Sequence, residues 1–278
     1  MSSPPRNTRG MPRELAELHA LAEQNEQLAG PAALQADLVA AERRVRGRVQ
    51  TTWIDLPDEK LRARLAAGRA LIDFEALPVD WTEARLVFRQ VTDILKRHDA
   101  IEAREAARLH DLGREPDLPA RAARWFRGEP DDTAGAEMLG EVLTWALRPF
   151  LARAAEVLQQ RVSFDGWTAR TCPVCGAAPD LAQITPQGQR RLICARCQTS
   201  WATDPIACPF CGEADRERIT SLATADGTYR VAACQTCQHY IKTVDSRYAG
   251  RPALPALDAI ATLPLDAAVM QRGFSNED

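Results

Sequence analysis

All eight cysteines of this chain lie between residues 172 and 237, and residues 1–171 contain none. They form four Cys-x-x-Cys pairs: Cys172/Cys175, Cys194/Cys197, Cys208/Cys211 and Cys234/Cys237. Thiols that are absent from most of a chain and paired throughout a short stretch indicate sulfur chemistry. Four thiolates suit one tetrahedral site for a soft metal ion. Eight therefore predict two metal sites.

The stretch that holds the cysteines, residues 172–237, is an internal repeat. The first and third pairs share the pattern Cys-Pro-x-Cys-Gly, in Cys172–Gly176 and Cys208–Gly212. The gap to the following pair is 18 residues in the first copy and 22 residues in the second. Repetition of this kind predicts two similar modules, with the additional residues accommodated in a loop of the second copy.

Each copy has the features of a small metal-binding β module. Proline after the first cysteine fixes φ, and glycine after the second permits a positive φ, so that the chain can turn sharply around an ion. Between the pairs, residues 184–193 and 219–231 each predict a β-hairpin. The pattern is typical of a rubredoxin-like or zinc-ribbon module. Because such a module has little core of its own, we expect metal loss to unfold this half and to leave the helices intact.

The duplication also predicts which cysteines share an ion, because consecutive elements usually lie side by side. The expected ligands are Cys172, Cys175, Cys194 and Cys197 for site 1, and Cys208, Cys211, Cys234 and Cys237 for site 2. A cross-braced pairing, disulfides and a binuclear or iron–sulfur cluster are the alternatives. His239 is not needed as a ligand, and we expect it on the surface. A site with four protein ligands has no open position for a substrate, so we do not expect an enzyme.

The preceding part of the chain predicts an all-α domain. Alanine, leucine, arginine and glutamate dominate it, and apolar residues recur at helical spacing, most regularly from Leu139 to Leu158. Pro149 is expected to kink or break that helix. Gly30 and Pro31 are expected to end the first helical segment.

The chain is thus expected to combine an α domain with small β modules. The expected units are a disordered tail at 1–10, a helical domain at 11–165, the first metal ribbon at 166–204, the second at 205–250, and a C-terminal segment at 251–278 that packs back on the protein. The N-terminus lacks the apolar core of a secretory signal, and no apolar run is long enough to span a bilayer. We therefore expect a cytoplasmic protein.

Several stretches resemble the formate dehydrogenase accessory protein E (FdhE) family. They are Cys172–Gly176, Leu192–Trp201, Cys208–Cys211, Cys234–Lys242 and the tail from Leu257 to Phe274. The resemblance implies a cytoplasmic maturation factor that contacts the catalytic subunit of a respiratory formate dehydrogenase. It also implies metal binding by all eight cysteines and favours iron, although zinc suits the same ligands.

Two other functions are compatible with cysteine-rich ribbons. One is a nucleic-acid-binding zinc-ribbon protein, but a formal net charge of −3 provides little neutralisation of phosphates. The other is a small redox carrier, if the sites hold redox-active iron. We therefore expect a protein client, no nucleic acid and no membrane span.

Overall fold

The computed structural model describes residues 11–49, 56–130 and 135–275. The tail at 1–10, for which the sequence predicts disorder, lies outside these residues. The helices are α1 (Arg13–Gln24), α2 (Ala29–Arg46), α3 (Asp58–Ala66), α4 (Trp81–Arg97), α5 (Ala103–Arg114), α6 (Leu118–Phe126), α7 (Ala136–Arg161), α8 (Ser246–Ala249), α9 (Pro255–Ala261) and α10 (Leu263–Met270). The strands are β1 (Pro179–Ile184), β2 (Arg190–Cys194), β3 (Ser200–Ala202), β4 (Ile219–Ala223), β5 (Tyr229–Cys234) and β6 (Tyr240–Asp245). Short 3₁₀ turns occupy Phe74–Ala76 and Arg216–Arg218.

Helix α7 is the centre of the helical half, and α2, α4 and α6 pack against it. It runs through Pro149 without a break, although proline within a helix costs about 3 kcal/mol. Pro149 and its neighbours Phe150 and Leu151 are all buried. Burial of this apolar face outweighs the hydrogen bond that proline cannot make, so the predicted break is absent.

The first inter-helix turn lies earlier than the sequence indicates. Gly30 and Pro31 belong to the first turn of α2 instead of ending α1. Proline is tolerated there because the first amides of a helix have no partner within it. The chain instead turns at Asn25, whose side-chain oxygen accepts hydrogen bonds from the amides of Gln27 (3.1 Å) and Leu28 (3.2 Å).

The two ribbons merge into one six-stranded sheet in the order β3-β2-β1-β6-β5-β4. Both predicted hairpins are present, as antiparallel β1/β2 and β4/β5, but β1 begins at Pro179, five residues before the predicted start of the first hairpin. Each ribbon also has a third strand that the sequence analysis missed, β3 or β6. Parallel pairing of β1 with β6, in which Leu181 lies opposite Lys242, joins the two copies edge to edge.

The first ribbon shares its hydrophobic core with the helices. Val174, Leu192 and Trp201 belong to the same buried cluster as Leu71 and most of α7. The second ribbon contributes Ile241 to that cluster, whereas its residues Val231, Ala233 and Tyr240 form a small separate cluster with Val269. The predicted division into domains remains a prediction, and the core is continuous across the boundary at residue 165.

The C-terminal helices return to the rest of the chain. Helix α9 packs against α1 and α2, and the amide of Ala256 donates to a carboxylate oxygen of Glu14 at 2.9 Å. Helix α10 lies against β5. In the described parts of the chain, no helix combines the length and the apolar character that a membrane crossing requires.

Candidate metal centres

We call the turn formed by each Cys-x-x-Cys pair and the residue after it a knuckle. The first knuckle of each ribbon has the same backbone geometry. The amide of Gly176 donates to the carbonyl of Cys172 at 2.9 Å, and the amide of Gly212 donates to the carbonyl of Cys208 at 3.0 Å. The two glycines have φ values of 76° and 85°. These left-handed conformations are the ones that the Cys-Pro-x-Cys-Gly pattern predicts, because glycine adopts them without a steric penalty.

The second knuckles also match each other, but without glycine. Gln198 and Gln238 follow the second cysteine of their pairs, and their φ values are 60° and 62°. Their amides donate to the carbonyls of Cys194 (3.2 Å) and Cys234 (2.9 Å). A left-handed conformation costs a non-glycine residue about 1–2 kcal/mol. Nothing in the sequence marks these glutamines as knuckle residues, except their equivalent positions in the two copies.

The knuckles bring the sulfur atoms together in two groups of four. The groups are Cys172, Cys175, Cys194 and Cys197, and Cys208, Cys211, Cys234 and Cys237. Within each group the Sγ atoms all lie within 4.8 Å of one another. The first pair therefore lies beside the second and the third beside the fourth, which is the consecutive pairing and not the cross-braced one.

The sulfur separations suit a tetrahedral ion. In site 1 the distance from Cys172 to Cys197 is 3.5 Å and that from Cys175 to Cys194 is 3.4 Å. In site 2 the distances from Cys208 to Cys237 and from Cys211 to Cys234 are 3.7 and 3.6 Å. A tetrahedron with metal–sulfur bonds of 2.3 Å has edges of about 3.8 Å. A disulfide needs about 2.05 Å, and all eight cysteines are free. Each group can therefore hold a metal ion.

Site 1 is lined by donors that stabilise thiolates. The amide of Val174 lies 3.4 Å from the Cys172 sulfur, and the amide of Arg196 lies 3.4 Å from the Cys194 sulfur. The hydroxyl of Thr199, itself buried, lies 3.0 Å from the Cys197 sulfur. Thr199 lies within the family-like stretch Leu192–Trp201, but the sequence analysis gave it no role at the metal site.

The thiols of site 1 have pKa values shifted in opposite directions. Burial and the neighbouring sulfurs raise the pKa of Cys197 well above its ordinary value. Burial opposes ionisation of Cys194 as well, but hydrogen bonds from the other three thiols lower its pKa well below the ordinary range. Without a cation, the group therefore does not ionise fully. A bound metal ion would displace the remaining protons.

Site 2 has a different environment. Cys211 and Cys237 both reach solvent, whereas Cys208 and Cys234 are buried. The ring of His239 packs against that of Phe210 with centroids 5.1 Å apart, and its Nδ1 donates to the carbonyl of Cys237 at 2.8 Å. His239 is thus half-buried beside the site instead of lying on the surface as expected, and it is not among the four grouped ligands.

Hydrogen bonds and burial also set the acidity of site 2. The pKa of Cys237 is raised by burial and by its contacts with Cys211 and Cys208. Burial acts in the same direction on Cys234, but backbone amides of its own knuckle outweigh it and lower its pKa. As in site 1, one thiol has a lowered pKa and another has a raised pKa.

Arginines hold the second knuckle of site 1 and the loop before site 2. Arg196 donates to the carbonyls of Trp125 (3.1 Å) and Phe126 (2.8 Å), and Arg148 donates to Ala195 at 3.0 Å. Arg190, on β2, donates to the carbonyl of Ala207 at 2.8 Å, directly before Cys208. The pKa values of Arg190 and Arg196 are lowered, because burial outweighs the opposite effect of the nearby cysteines.

Comparison with known proteins gives consistent matches. No family model matches the chain. A "Protein FdhE homolog" of Aquifex aeolicus is 26% identical over 227 residues, which are 80% of this chain and 77% of that protein. A "Protein FdhE homolog" of Haemophilus ducreyi is 30% identical over 139 residues, which are 48% of this chain and 45% of that protein, less than half of its length.

A solved structure matches nearly the whole fold. The crystal structure of the FdhE protein from Pseudomonas aeruginosa superimposes with a TM-score of 0.67 and 22% sequence identity. The match covers 95% of this chain and 91% of that chain. The predicted fold class, a helical region followed by tandem ribbon modules, is therefore confirmed.

Proposed function

We propose, on the premise that this chain belongs to the FdhE family, that it is a metal-binding accessory protein for the maturation of a respiratory formate dehydrogenase. The observation that carries this proposal is the presence of two four-cysteine groups with tetrahedral sulfur separations. The chain acts in the cytoplasm, where its thiols stay reduced and available to metal. Its client is the catalytic subunit of the dehydrogenase.

The role of the metal is to fix the shape that meets the client. A bound ion would supply the positive charge that four thiolates need, and iron is favoured over zinc by the family resemblance. The chain itself provides hydrogen-bond donors to the thiolates. The amides of Val174 and Arg196 and the hydroxyl of Thr199 point toward the sulfurs of site 1 and hold them as thiolates.

The proposed role is not enzymatic. With four sulfurs around each ion, no coordination position is left for water or substrate. Client binding instead requires an accessible surface. The second ribbon has such a surface, where Phe210 and His239 lie beside solvent-accessible sulfurs. The proposal thus assigns the chain a binding function that depends on intact metal knuckles.

Capture of the client under reducing, anaerobic conditions tests the proposal. The tagged full-length chain is expected to retain the catalytic subunit of formate dehydrogenase from cells that produce it. Cys208→Ser is expected to reduce the retained subunit about tenfold or more, because the knuckle that it shapes is lost. Ser221→Ala, which changes an exposed side chain on β4 of the same ribbon away from the cysteines, is the matched control.

Three outcomes would contradict the proposal. Retention of no subunit by the wild-type chain would remove the assigned client. Metal analysis of anaerobically purified protein that finds fewer than one equivalent per chain would remove the metal-binding role. Strong binding to random DNA with a steep salt dependence would favour nucleic acid as the ligand instead.

A further inference from the structure

We propose that the two metal sites differ in kind: site 2 exchanges its ion with the solution, whereas site 1 retains its ion as part of the core. This inference rests on the proposed function, because it assumes that both four-cysteine groups bind metal. It assigns different metal-exchange behaviour to two sites whose sequences are copies of each other.

The sulfurs of site 1 are enclosed. Their residues are 0%, 4%, 2% and 2% exposed, in chain order from Cys172 to Cys197. They belong to the same buried cluster as the helices, so that the core itself covers the ion position. An incoming ligand can reach this position only if part of the core opens, and such openings cost free energy approaching that of global unfolding.

Both knuckles of site 1 are also fastened to the helical half. The amides of Leu71 and Ile72 donate to the carbonyls of Pro173 (2.9 Å) and Val174 (3.0 Å) in the first knuckle. Arg196 binds the end of α6 from the second knuckle. Movement of either sulfur pair away from the ion would break these bonds in a buried setting, where each lost partner costs about 1–3 kcal/mol.

Site 2 has no such enclosure. Two of its four sulfur residues, Cys211 and Cys237, are accessible to solvent. Phe210 and His239 beside it come from its own ribbon, and Phe210 also packs against the large buried cluster. Its first knuckle faces Arg170, whose guanidinium lies where a side chain on Gly212 would be, whereas Gly176 in site 1 faces the methyl group of Ala70.

Exposure of this kind matters because a tetrathiolate site loses its ion by ligand replacement. Each step forms one bond from the ion to a donor atom of the incoming ligand and breaks one metal–sulfur bond. The released thiolate takes a proton from the solvent, and no electron is transferred. Cys211 and Cys237 can leave by small movements of a surface knuckle, while the buried sulfurs of site 1 cannot.

The difference can be measured on the full-length wild-type chain loaded with two equivalents of zinc. An excess of a chromophoric chelator, such as 4-(2-pyridylazo)resorcinol, is added under reducing conditions, and zinc release is followed by absorbance. Samples taken during release are treated with N-ethylmaleimide, and modified cysteines are mapped by mass spectrometry. Two phases of one equivalent each are expected, with rates differing by about tenfold or more.

The cysteines modified during the fast phase are expected to be those of site 2. Arg196→Ala is expected to accelerate the slow phase alone, because it removes the tie between the second knuckle of site 1 and α6. Thr236→Ala, at the equivalent position of the second copy, removes only a hydrogen bond to Glu213 beside site 2 and should leave the slow phase unchanged.

Two results would overturn the inference: release in a single phase, or early modification of Cys172, Cys175, Cys194 or Cys197. Neither would affect the proposal that the chain binds metal. A chain that takes up no zinc would instead contradict that proposal, so the two failures are distinguishable.

Discussion

Arg196 donates a hydrogen bond of 2.8 Å to the carbonyl oxygen of Phe126, 70 residues earlier in the chain. Its guanidinium also lies 4.2 Å from the ring centre of Trp125 and donates to that residue's carbonyl. Phe126 is the last residue of α6, where carbonyls have no partner within the helix. A residue between two metal-site cysteines therefore completes the end of a helix in the other half of the molecule.

Replacement of this arginine should destabilise the whole protein. Arg196→Ala removes two hydrogen bonds from a charged donor and a cation–π contact, so we expect unfolding to become easier by about 2–4 kcal/mol. Chemical denaturation followed by circular dichroism measures this change. Thr236→Ala, at the matching position of the second ribbon, should change stability by less than about 0.5 kcal/mol. Equal effects of the two substitutions would show that the contact with α6 carries no stability.

Loss of a site 1 ligand should reach the helices, contrary to the expectation from sequence that they stay intact. Cys172 is fully buried in the core that the first ribbon shares with α7. We therefore expect Cys172→Ser to lower the melting temperature of the helical signal by about 10 °C or more, since both a ligand and core packing are lost. Cys208→Ser should release metal from site 2 and leave the helical transition within a few degrees.

Thermal melts of both variants at 222 nm, with metal content measured on the same samples, decide this point. Helical transitions that shift equally in the two variants would mean that the shared core does not couple site 1 to the helices. A helical transition that does not move in Cys172→Ser would restore the simpler picture of independent halves.

The sequence predicts the parts of this molecule that follow from local pattern. The two hairpins, the two glycine knuckles and the helical half are all read from spacing and residue type. Strand β6 is different, because all six of its residues are buried and include Lys242 and Asp245. Lys242 is stabilised by Asp266 at 2.8 Å, and Asp245 by Arg247 at 2.7 Å. Ion pairs of this kind depend on where distant or exposed residues lie in space, and periodicity in the sequence does not predict them.

The arginines that hold the sites were unpredictable for a related reason. The chain has 35 lysines and arginines, and nothing in the sequence sets Arg196, Arg148 or Arg190 apart from the solvated majority. Their significance depends on carbonyl oxygens that only the folded chain presents. Strand β3 was missed because three residues are too few to show alternation.

A buried ion pair fastens the C-terminal segment. Arg251 and Asp258 contact each other at 2.5 and 3.2 Å, and Asp258 is fully buried. Tyr229 of β5 donates its hydroxyl to the same carboxylate at 2.9 Å. Arg251→Ala would leave this carboxylate buried without its cation, so we expect a loss of about 3–5 kcal/mol. Tyr229→Phe removes one hydroxyl and should cost about 1 kcal/mol.

Urea unfolding of the two single variants and the double variant separates these contributions. A combined loss smaller than the sum is expected, because both side chains act on one carboxylate. A strictly additive result would contradict the shared role of Asp258. A loss below about 1 kcal/mol for Arg251→Ala would show that the pair does not hold the segment.

The carboxyl of Glu42 gives a dependence of stability on pH. Glu42 is 5% exposed, and burial raises its pKa, although Arg148 and Arg46 act in the opposite direction. A carboxyl whose pKa is raised in the folded protein lowers stability progressively as the pH rises above its unfolded-state value, because the unfolded chain ionises more easily. Glu42→Gln should therefore stabilise the protein at pH 7, and the gain should shrink as the pH falls toward the ordinary glutamate value of 4.5.

Glu156 provides the matched control with the opposite sign. It shares Arg46 with Glu42, and hydrogen bonds from Arg153 and Arg46 lower its pKa despite partial burial. Glu156→Gln should therefore reduce stability near neutral pH, with a loss that fades as the pH approaches its folded pKa. Denaturant midpoints of both variants and of the wild-type chain are measured from about pH 3 to pH 8: the loss in Glu156→Gln should disappear as the pH falls below 4.5, and the gain in Glu42→Gln should grow as the pH rises above 4.5. Parallel curves would contradict both assignments.

The two copies are joined by pairing of β1, from the first copy, with β6, from the second. The strands equivalent to these two form the outer edges of the sheet. Strand β4 occupies the place of β1 in the second copy, and β3 occupies the place of β6 in the first. The same union made between β4 of one molecule and β3 of another would lengthen the sheet without limit, as head-to-tail contacts do. Strand β3 is only three residues long, and Pro205 follows soon after it with no amide to offer. With only three residues to pair, β3 offers such a union few main-chain hydrogen bonds, which disfavours growth of a fibre.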